Sequence, residues 1–251
     1  MISQAEKNRF SLLCEADAAA SPSEAAGIGV YNEKSLHRIF KRFFATCEGE
    51  ESFEVKVGPF VADLLEGDRV TEIQCGPFRP LREKLAYYEG EGYRVTVVHP
   101  MLADLTILRM DRESGEVLRQ RHFRAYERPM DVLPLLYDIG ERLASGNVIL
   151  CLPLLRAEEF RYSERMRYRK SGAYESELFA RELLDLLIFR TKEDYRSLLP
   201  EGIPTEFSAA EFGRLTRLKG RKLYSALNGL IALGLLRRDK EGRGYRYTLL
   251  P

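Results

Sequence analysis

The feature that most restricts the fold of this chain is a predicted β-hairpin in residues 53–74. The dipeptide Gly67-Asp68 suits a two-residue turn with glycine first, and strand-forming residues flank it on both sides. A turn at this place sets Asp63 directly opposite Glu72. Like charges in that position destabilise a sheet unless a cation lies between them. The hairpin therefore predicts a site for a hard divalent ion held by carboxylate oxygens.

Gln74 lies two residues beyond Glu72 and projects from the same face, which completes the pattern Asp-x8-Glu-x-Gln. This pattern resembles the core of the PD-(D/E)xK nuclease superfamily, in which an Asp and an acidic-x-Lys hold Mg²⁺ and position a water against a phosphodiester. The resemblance implies Asp63 and Glu72 as ligands of Mg²⁺ or Mn²⁺, with Gln74 at the lysine position. Gln74 departs from the family pattern. Lys84, in the following helix, is the candidate for a migrated cation.

An amphipathic helix is predicted just before the hairpin, in residues 32–44. Leu36, Ile39 and Phe40 begin an i, i+3, i+4 pattern that continues to the end of the segment. Glu33 and His37 lie at the edge of this apolar stripe, one turn apart. The nuclease superfamily usually adds a Glu on a helix preceding the strands. The resemblance therefore implies Glu33 as a third catalytic and metal-binding carboxylate.

The elements after the hairpin complete a βαβ unit. Gly76-Pro77 opens a predicted helix, and residues 93–98 form a strand that follows it. The order helix, hairpin, helix, strand is that of the nuclease superfamily core. Further elements are predicted as a hairpin of 104–110 with 116–124, a helix at about 131–144, a strand at 148–152 and an apolar helix at 178–189.

Residues 205–251 form a basic module. They contain ten basic and four acidic side chains, a net charge of +6, whereas the rest of the chain carries −5. A capping box at Ser208–Glu211, a second helix and a hairpin follow in order, which resembles a winged-helix domain. The charge favours DNA over a protein partner. The predicted DNA-binding residues are Arg214, Arg217, Lys219, Arg221, Lys222, Ser225, Lys240 and Arg243.

Length and composition indicate a folded α/β protein. With 251 residues and 45% hydrophobic side chains, the chain can bury one sizeable core and a small second domain. No stretch is long and apolar enough for a membrane span or a signal peptide, so a cytoplasmic protein is expected. The four cysteines are far apart and indicate neither zinc nor disulfides. We predict a lead-in segment at 1–31, a nuclease-like mixed sheet flanked by helices at 32–198, and the small C-terminal winged-helix domain at 205–251.

Residues 27–250 as a whole also look like a group of uncharacterised bacterial proteins, which brings no activity with it. The leading hypothesis is a Mg²⁺-dependent DNA endonuclease. The alternative is a DNA-binding or regulatory protein whose nuclease-like core has lost catalysis, and Gln74 favours it. A protein-binding adaptor would need an acidic partner to cover the basic module. The sequence does not decide between a monomer and a homodimer.

Overall fold

The structure is a computed structural model that describes residues 2–20, 30–46, 49–111, 113–163, 175–242 and 244–251. The described residues form the α-helices α1 (Gln4–Ala20), α2 (Val30–Phe44), α3 (Leu81–Gly90), α4 (Gly140–Ala144), α5 (Lys192–Arg196), α6 (Ala209–Thr216) and α7 (Gly220–Ala232). They form the strands β1 (Phe53–Val57), β2 (Phe60–Glu66), β3 (Arg69–Ile73), β4 (Arg94–Val98), β5 (Met101–Asp111), β6 (Val117–Arg124), β7 (Val148–Ser163), β8 (Glu175–Phe189), β9 (Glu206–Ser208), β10 (Leu236–Glu241) and β11 (Gly244–Leu249).

The fold is mixed α/β, with a large mixed sheet flanked by helices. The chain divides into two compact units. Unit 1 comprises Met1–Gly49, Pro100–Glu127 and Pro153–Leu187. Unit 2 comprises Glu50–His99, Arg128–Leu152 and Ile188–Pro251.

The sheet of unit 2 contains the predicted hairpin in the predicted register. Strands β2 and β3 are antiparallel, with Leu65 opposite Val70 and Glu66 opposite Arg69. Gly67 has a φ of +63°, a conformation that glycine adopts without steric cost. The turn chemistry of the sequence therefore sets the register, as expected.

Helix α3 crosses over from β3 to β4, which pairs with β3 in parallel. Phe78, Leu81, Leu85 and Tyr88 are buried and fix one face of α3 on the sheet. Strand β4 in turn pairs in parallel with the first residues of β7. The predicted βαβ unit and the strand at 148–152 are confirmed, and β7 continues to Ser163.

Unit 1 begins with a helix that the sequence reading missed. The lead-in prediction for residues 1–31 is wrong for Gln4–Ala20, which form α1. Phe10 is fully buried, and its ring centroid lies 5.3 Å from that of Phe40 and 5.7 Å from that of Phe43, both in α2. Asp17 forms an ion pair with Arg38 at 2.9 Å. Helix α1 thus covers the apolar stripe of α2, which was predicted correctly.

The remainder of unit 1 is β-structure. Strands β5 and β6 form the predicted hairpin. The predicted helix at 178–189 is wrong, because these residues belong to β8, which pairs with β7. Ion pairs join the two strands, with Arg156 contacting Glu182 and Arg181 contacting Glu158. The long partner strand and these cross-strand charges decide the conformation of an apolar run that periodicity alone leaves ambiguous.

The predicted helix at 131–144 is replaced by shorter turns in unit 2. The chain forms the 3₁₀ helices Pro129–Val132 and Leu135–Asp138, followed by the short α4. Pro134 separates the two 3₁₀ helices, because proline has no backbone N–H for a continuous helix. This segment forms the surface on which α7 packs.

The end of unit 2 contains α6, α7 and a sheet with the strand order β10-β11-β9. Ser208 caps α6, and its side chain and that of Glu211 form the predicted capping box. Gly229 lies against backbone, since a Cβ there would be 2.9 Å from the Tyr137 nitrogen. A Cβ at Gly140 would likewise lie 2.8 Å from that of Ala232. Small residues thus allow α7 to dock closely onto the preceding turns.

Candidate functional site

The central group of the candidate site is the buried carboxylate of Glu72 in β3. Its side chain faces α3, where Lys84 Nζ donates to Glu72 Oε2 at 2.6 Å and the Tyr88 hydroxyl donates to Oε1 at 3.1 Å. Only 2% of Glu72 is exposed. The sequence places Lys84 and Tyr88 four residues apart in α3, so both side chains point to one face. Glu72 is therefore fully engaged by one cation and one hydroxyl.

Burial is the main cause of an unusual pKa at Glu72. Loss of solvent and, next, the negative charge of Asp63 raise the pKa from 4.5 to about 7, although Lys84 and Tyr88 oppose the rise. Burial and, next, the negative charge of Glu72 raise the pKa of the Tyr88 hydroxyl well above its ordinary value. Tyr88 therefore stays a hydrogen-bond donor at any physiological pH.

Asp63 lies in β2 on the same face of the hairpin as Glu72. Alternation along the strands places Asp63 with Leu65 and Glu72 with Val70, and Leu65 pairs with Val70. Asp63 Oδ2 accepts a hydrogen bond of 2.8 Å from the backbone N–H of Ile73. This bond holds the Asp63 carboxylate at the end of β3, where its charge acts on Glu72.

Gln74 is part of the turn that leads into α3. Its Nε2 donates to the carbonyl oxygen of Pro77 at 3.0 Å, and its backbone N–H donates to Val98 at 2.9 Å. The side-chain amide thus stabilises the connection between β3 and the helix that carries Lys84.

His99 is a residue of this region that the sequence reading missed. Its Nδ1 lies 2.6 Å from the Gln74 carbonyl oxygen, and its ring packs edge-on against Phe78 at 5.1 Å. A carbonyl oxygen only accepts, so Nδ1 carries the proton. Burial lowers the pKa of His99 and keeps the imidazole neutral. Its position at the carboxyl end of a parallel strand next to β3 is the sequence signal that could have identified it.

The predicted third carboxylate, Glu33, lies in α2 of unit 1. Its side chain falls outside the described residues, so its catalytic and metal-binding assignment stays a prediction. Nearby His37 is half-buried in the same helix. Among the residues that the structure describes, no group of three or more His, Cys, Asp or Glu side chains could hold a metal ion.

A second candidate region is the basic surface of α6, α7 and β10 in unit 2. Six of its described cations are exposed and form no ion pair with another described residue, namely Arg214, Arg217, Lys219, Arg221, Lys222 and Lys240. Arg237 on β10, in contrast, pairs with Asp239 at 2.8 Å. Ser225 is half-buried on α7, and Arg243 lies outside the described residues. Arg217 ends α6 with a left-handed φ of 63°. This conformation places a cation where helices usually have glycine.

The helices and the large sheet define a mixed α/β protein with an internally paired buried carboxylate and a separate cationic surface. Residues 34–188 match the domain of unknown function DUF8091, and the chain belongs to this family. The match includes Asp63, Glu72, Gln74 and Lys84 and ends before the basic surface. No curated protein and no solved structure matches the chain. None of the helices in the described parts of the chain is long and apolar enough to cross a membrane.

Proposed function

We propose that the protein is a Mg²⁺-dependent DNA endonuclease with a winged-helix DNA-binding domain at 205–251. The observation that carries this proposal is the Asp63–Glu72 face of the hairpin. Two carboxylates there share one face beside a half-buried lysine, and the like charge of Asp63 contributes to the raised pKa of Glu72. The element order of this region, with a helix, a hairpin, a crossover helix and a parallel strand, supports the resemblance to the PD-(D/E)xK core.

The two carboxylates suit a small divalent cation, which would have to displace Lys84 from Glu72. Mg²⁺ binds through one or two carboxylates together with waters and substrate phosphates, and Asp63 and Glu72 would provide the carboxylates. Such an ion, when bound, supplies positive charge that stabilises the charge developing on a phosphate. The repulsion between the two carboxylates favours uptake of a cation.

The chain's own residues would prepare the site for a phosphodiester. The ammonium group of Lys84 contacts Glu72. It would take the role of the lysine that the nuclease superfamily has at the position of Gln74. Tyr88 orients the Glu72 carboxylate through its hydroxyl. Gln74 and His99 hold the turn before α3 and thereby position Lys84. Lys84 is the residue we assign to orient the attacking water or the scissile phosphate.

The cationic surface of α6, α7 and β10 supports DNA as the substrate. Exposed Arg and Lys side chains without ion-pair partners can exchange their counterions for phosphates. Helix α7 presents Arg221, Lys222 and Ser225 on its outer side, as a recognition helix in a winged-helix domain would. The basic residues would hold the duplex, while the Asp63–Glu72 face would act on the phosphodiester.

The test is cleavage of plasmid, linear and branched DNA by the purified protein with Mg²⁺ or Mn²⁺. Asp63→Asn and Glu72→Gln should abolish nicking without unfolding the chain. Asp68→Asn is the matched control, because Asp68 lies at the tip of the same hairpin and pairs with Arg94 in solvent. This control should cleave like the wild type. Absence of cleavage on every substrate, with no heat of metal binding in calorimetry, would contradict the proposal.

A second candidate function is a DNA-binding or regulatory protein that uses the nuclease-like core as a scaffold. The ion pair between Lys84 and Glu72 favours it, because the lysine already neutralises the carboxylate in the metal-free protein. The hydrogen bond from the Gln74 amide to the Pro77 carbonyl oxygen favours it as well, because it occupies the side chain at the family's lysine position. Salt-dependent DNA binding without metal uptake or cleavage would establish this function instead.

A further inference from the structure

A cleft of about 1340 Å³ lies in unit 2 between α3, α4 with its preceding 3₁₀ helix, and α7 with β10. One wall consists of Arg79, in the turn before α3, and of the outer side of α3, which faces away from Glu72 and carries Arg82. Both arginines are exposed, and neither forms an ion pair with another described residue. The opposite wall contains Tyr137 and Asn228. Helix α3 therefore separates the Glu72 site on its inner side from this cleft on its outer side.

The cleft is continuous with the basic surface. Asn228 lies on α7, seven residues after Arg221 and therefore on the same side of the helix. Arg238, on β10, lines the cleft and projects from the same face of the strand as Lys240. The Arg238 guanidinium lies 4.8 Å from the ring centre of Tyr245. Arg238 thus joins the cleft to the basic surface.

The lining of the cleft combines an exposed aromatic ring, carboxylates and arginines. Tyr137 is 55% exposed, as is Tyr224 outside the cleft, and its ring contacts no other described ring. Glu83, Asp138 and Glu141 also line the cleft, and a fourth arginine there, Arg142, is paired with Glu89 at 3.1 Å. Carboxylates accept hydrogen bonds from the amino groups of bases. Cations that follow a backbone, together with an exposed ring on which bases stack, are the features of a groove for single strands.

We propose that this cleft binds a single-stranded segment of DNA that continues from a duplex held by α7. The backbone lies along Arg79 and Arg82, and a base stacks on Tyr137. The substrate class is then a duplex with a single-stranded tail or branch. This inference rests on the proposed DNA binding but does not require cleavage.

The experiment compares two fluorescent DNAs with the same duplex, one blunt and one with a single-stranded tail. Fluorescence anisotropy measures the affinity of the full chain for both in EDTA, so that no cleavage occurs. The wild type should bind the tailed DNA about tenfold more tightly, since one stacked base contributes on the order of that factor. Tyr137→Ala should remove this gain and leave blunt-duplex affinity unchanged.

Arg79→Ala with Arg82→Ala should also reduce the gain from the tail and flatten its salt dependence. The matched control is Arg119→Ala with Arg121→Ala, which removes the same charge from two exposed positions of β6 in unit 1. An uncharged obstruction, Ala86→Trp, should act like Tyr137→Ala because Ala86 lines the cleft. Thermal melting checks that each variant is folded.

Equal affinity for blunt and tailed DNA in the wild type would overturn this inference while the proposed nuclease remained. An equal loss in the Arg119 and Arg121 control would overturn it too, since the effect would then come from net charge alone. Failure of both DNAs to bind would instead contradict the proposed DNA-binding function itself.

Discussion

The two charged regions of unit 2 differ in how their charges are compensated. Glu72 is buried, and Lys84 and Tyr88 in α3 satisfy both of its oxygens. The cations of α6 and α7 lie in solvent and form no ion pairs with other described residues. A buried charge has to be compensated within the chain, because its desolvation is costly. An exposed cation keeps only mobile counterions, which a polyanion can replace. Mutations should therefore change stability in the first region and binding in the second.

The largest expected effect is that of Lys84→Met. It leaves the ionised Glu72 buried without its cation, and removal of one partner of a buried pair typically costs about 3–5 kcal/mol. We expect a loss near the lower end of that range at pH 8, measured by chemical denaturation. The loss should be clearly smaller at pH 5, where Glu72 takes up a proton. A loss that does not depend on pH would contradict the role of Lys84 as counter-ion.

Glu72→Gln tests the same region with a neutral side chain. In the folded protein the pKa of Glu72 is about 7, compared with 4.5 without burial, so the folded state binds the proton more tightly than the unfolded chain. The wild type therefore loses stability from this group as the pH rises from 4.5 to 7, by up to about 3 kcal/mol at 1.36 kcal/mol for each pH unit. The variant lacks this loss.

The measurement for Glu72→Gln is the free energy of unfolding at pH 5 and pH 8. Relative to the wild type, the variant should be more stable at pH 8 than at pH 5. The lowered pKa of His99 affects both proteins alike, so its contribution cancels in the comparison. Parallel pH profiles for the two proteins would show that Glu72 is not the group responsible.

In the basic region, Arg221→Ala with Lys222→Ala should change binding and leave stability within about 0.5 kcal/mol. We expect an affinity for duplex DNA about tenfold lower and a slope of log K against log salt shallower by up to about 1.8, two phosphate contacts' worth. Anisotropy titrations between low and physiological salt measure both. Asp63→Asn is the control and should keep the wild-type slope. An unchanged slope in the double variant would remove this face of α7 from the DNA interface.

The smallest effect is expected for Arg217→Gly. This variant should be more stable than the wild type but should bind DNA less tightly. Arg217 has a left-handed φ of 63°, which glycine adopts more easily, so the variant should gain up to about 1 kcal/mol. It should also lose about one phosphate contact from the salt slope. Calorimetric melting and anisotropy on the same preparation give the two numbers. Weaker binding together with lower stability would mean that Arg217 supports the fold.

The sequence predicts best where local chemistry decides the structure. Gly67-Asp68 determines the hairpin register, and Ser208 with Glu211 determines where α6 begins. The structure places Lys84 in contact with Glu72, whereas its role as the cation of a catalytic site stays a prediction. Each of these features depends on residues that lie near one another in the chain.

The predictions that failed depend on distant partners. The apolar run at 178–189 looks like a helix by length, but pairing with β7 makes it a strand. Phe10, Cys14 and Asp17 have helical spacing, yet the contacts that bury them come from distant segments such as α2. His99 directly follows the strand that the predicted βαβ unit contains, but its hydrogen bond with the Gln74 carbonyl oxygen depends on the register of β4 beside β3.

The close docking of α7 through Gly229 has a consequence for how this part of unit 2 can move. A Cβ at position 229 would lie 2.9 Å from the backbone nitrogen of Tyr137, so α7 has little room to shift relative to that turn. Under the proposed function, a duplex on α7 and a single strand on Tyr137 would therefore be held by one rigid body, and their junction would keep a constant position on the protein.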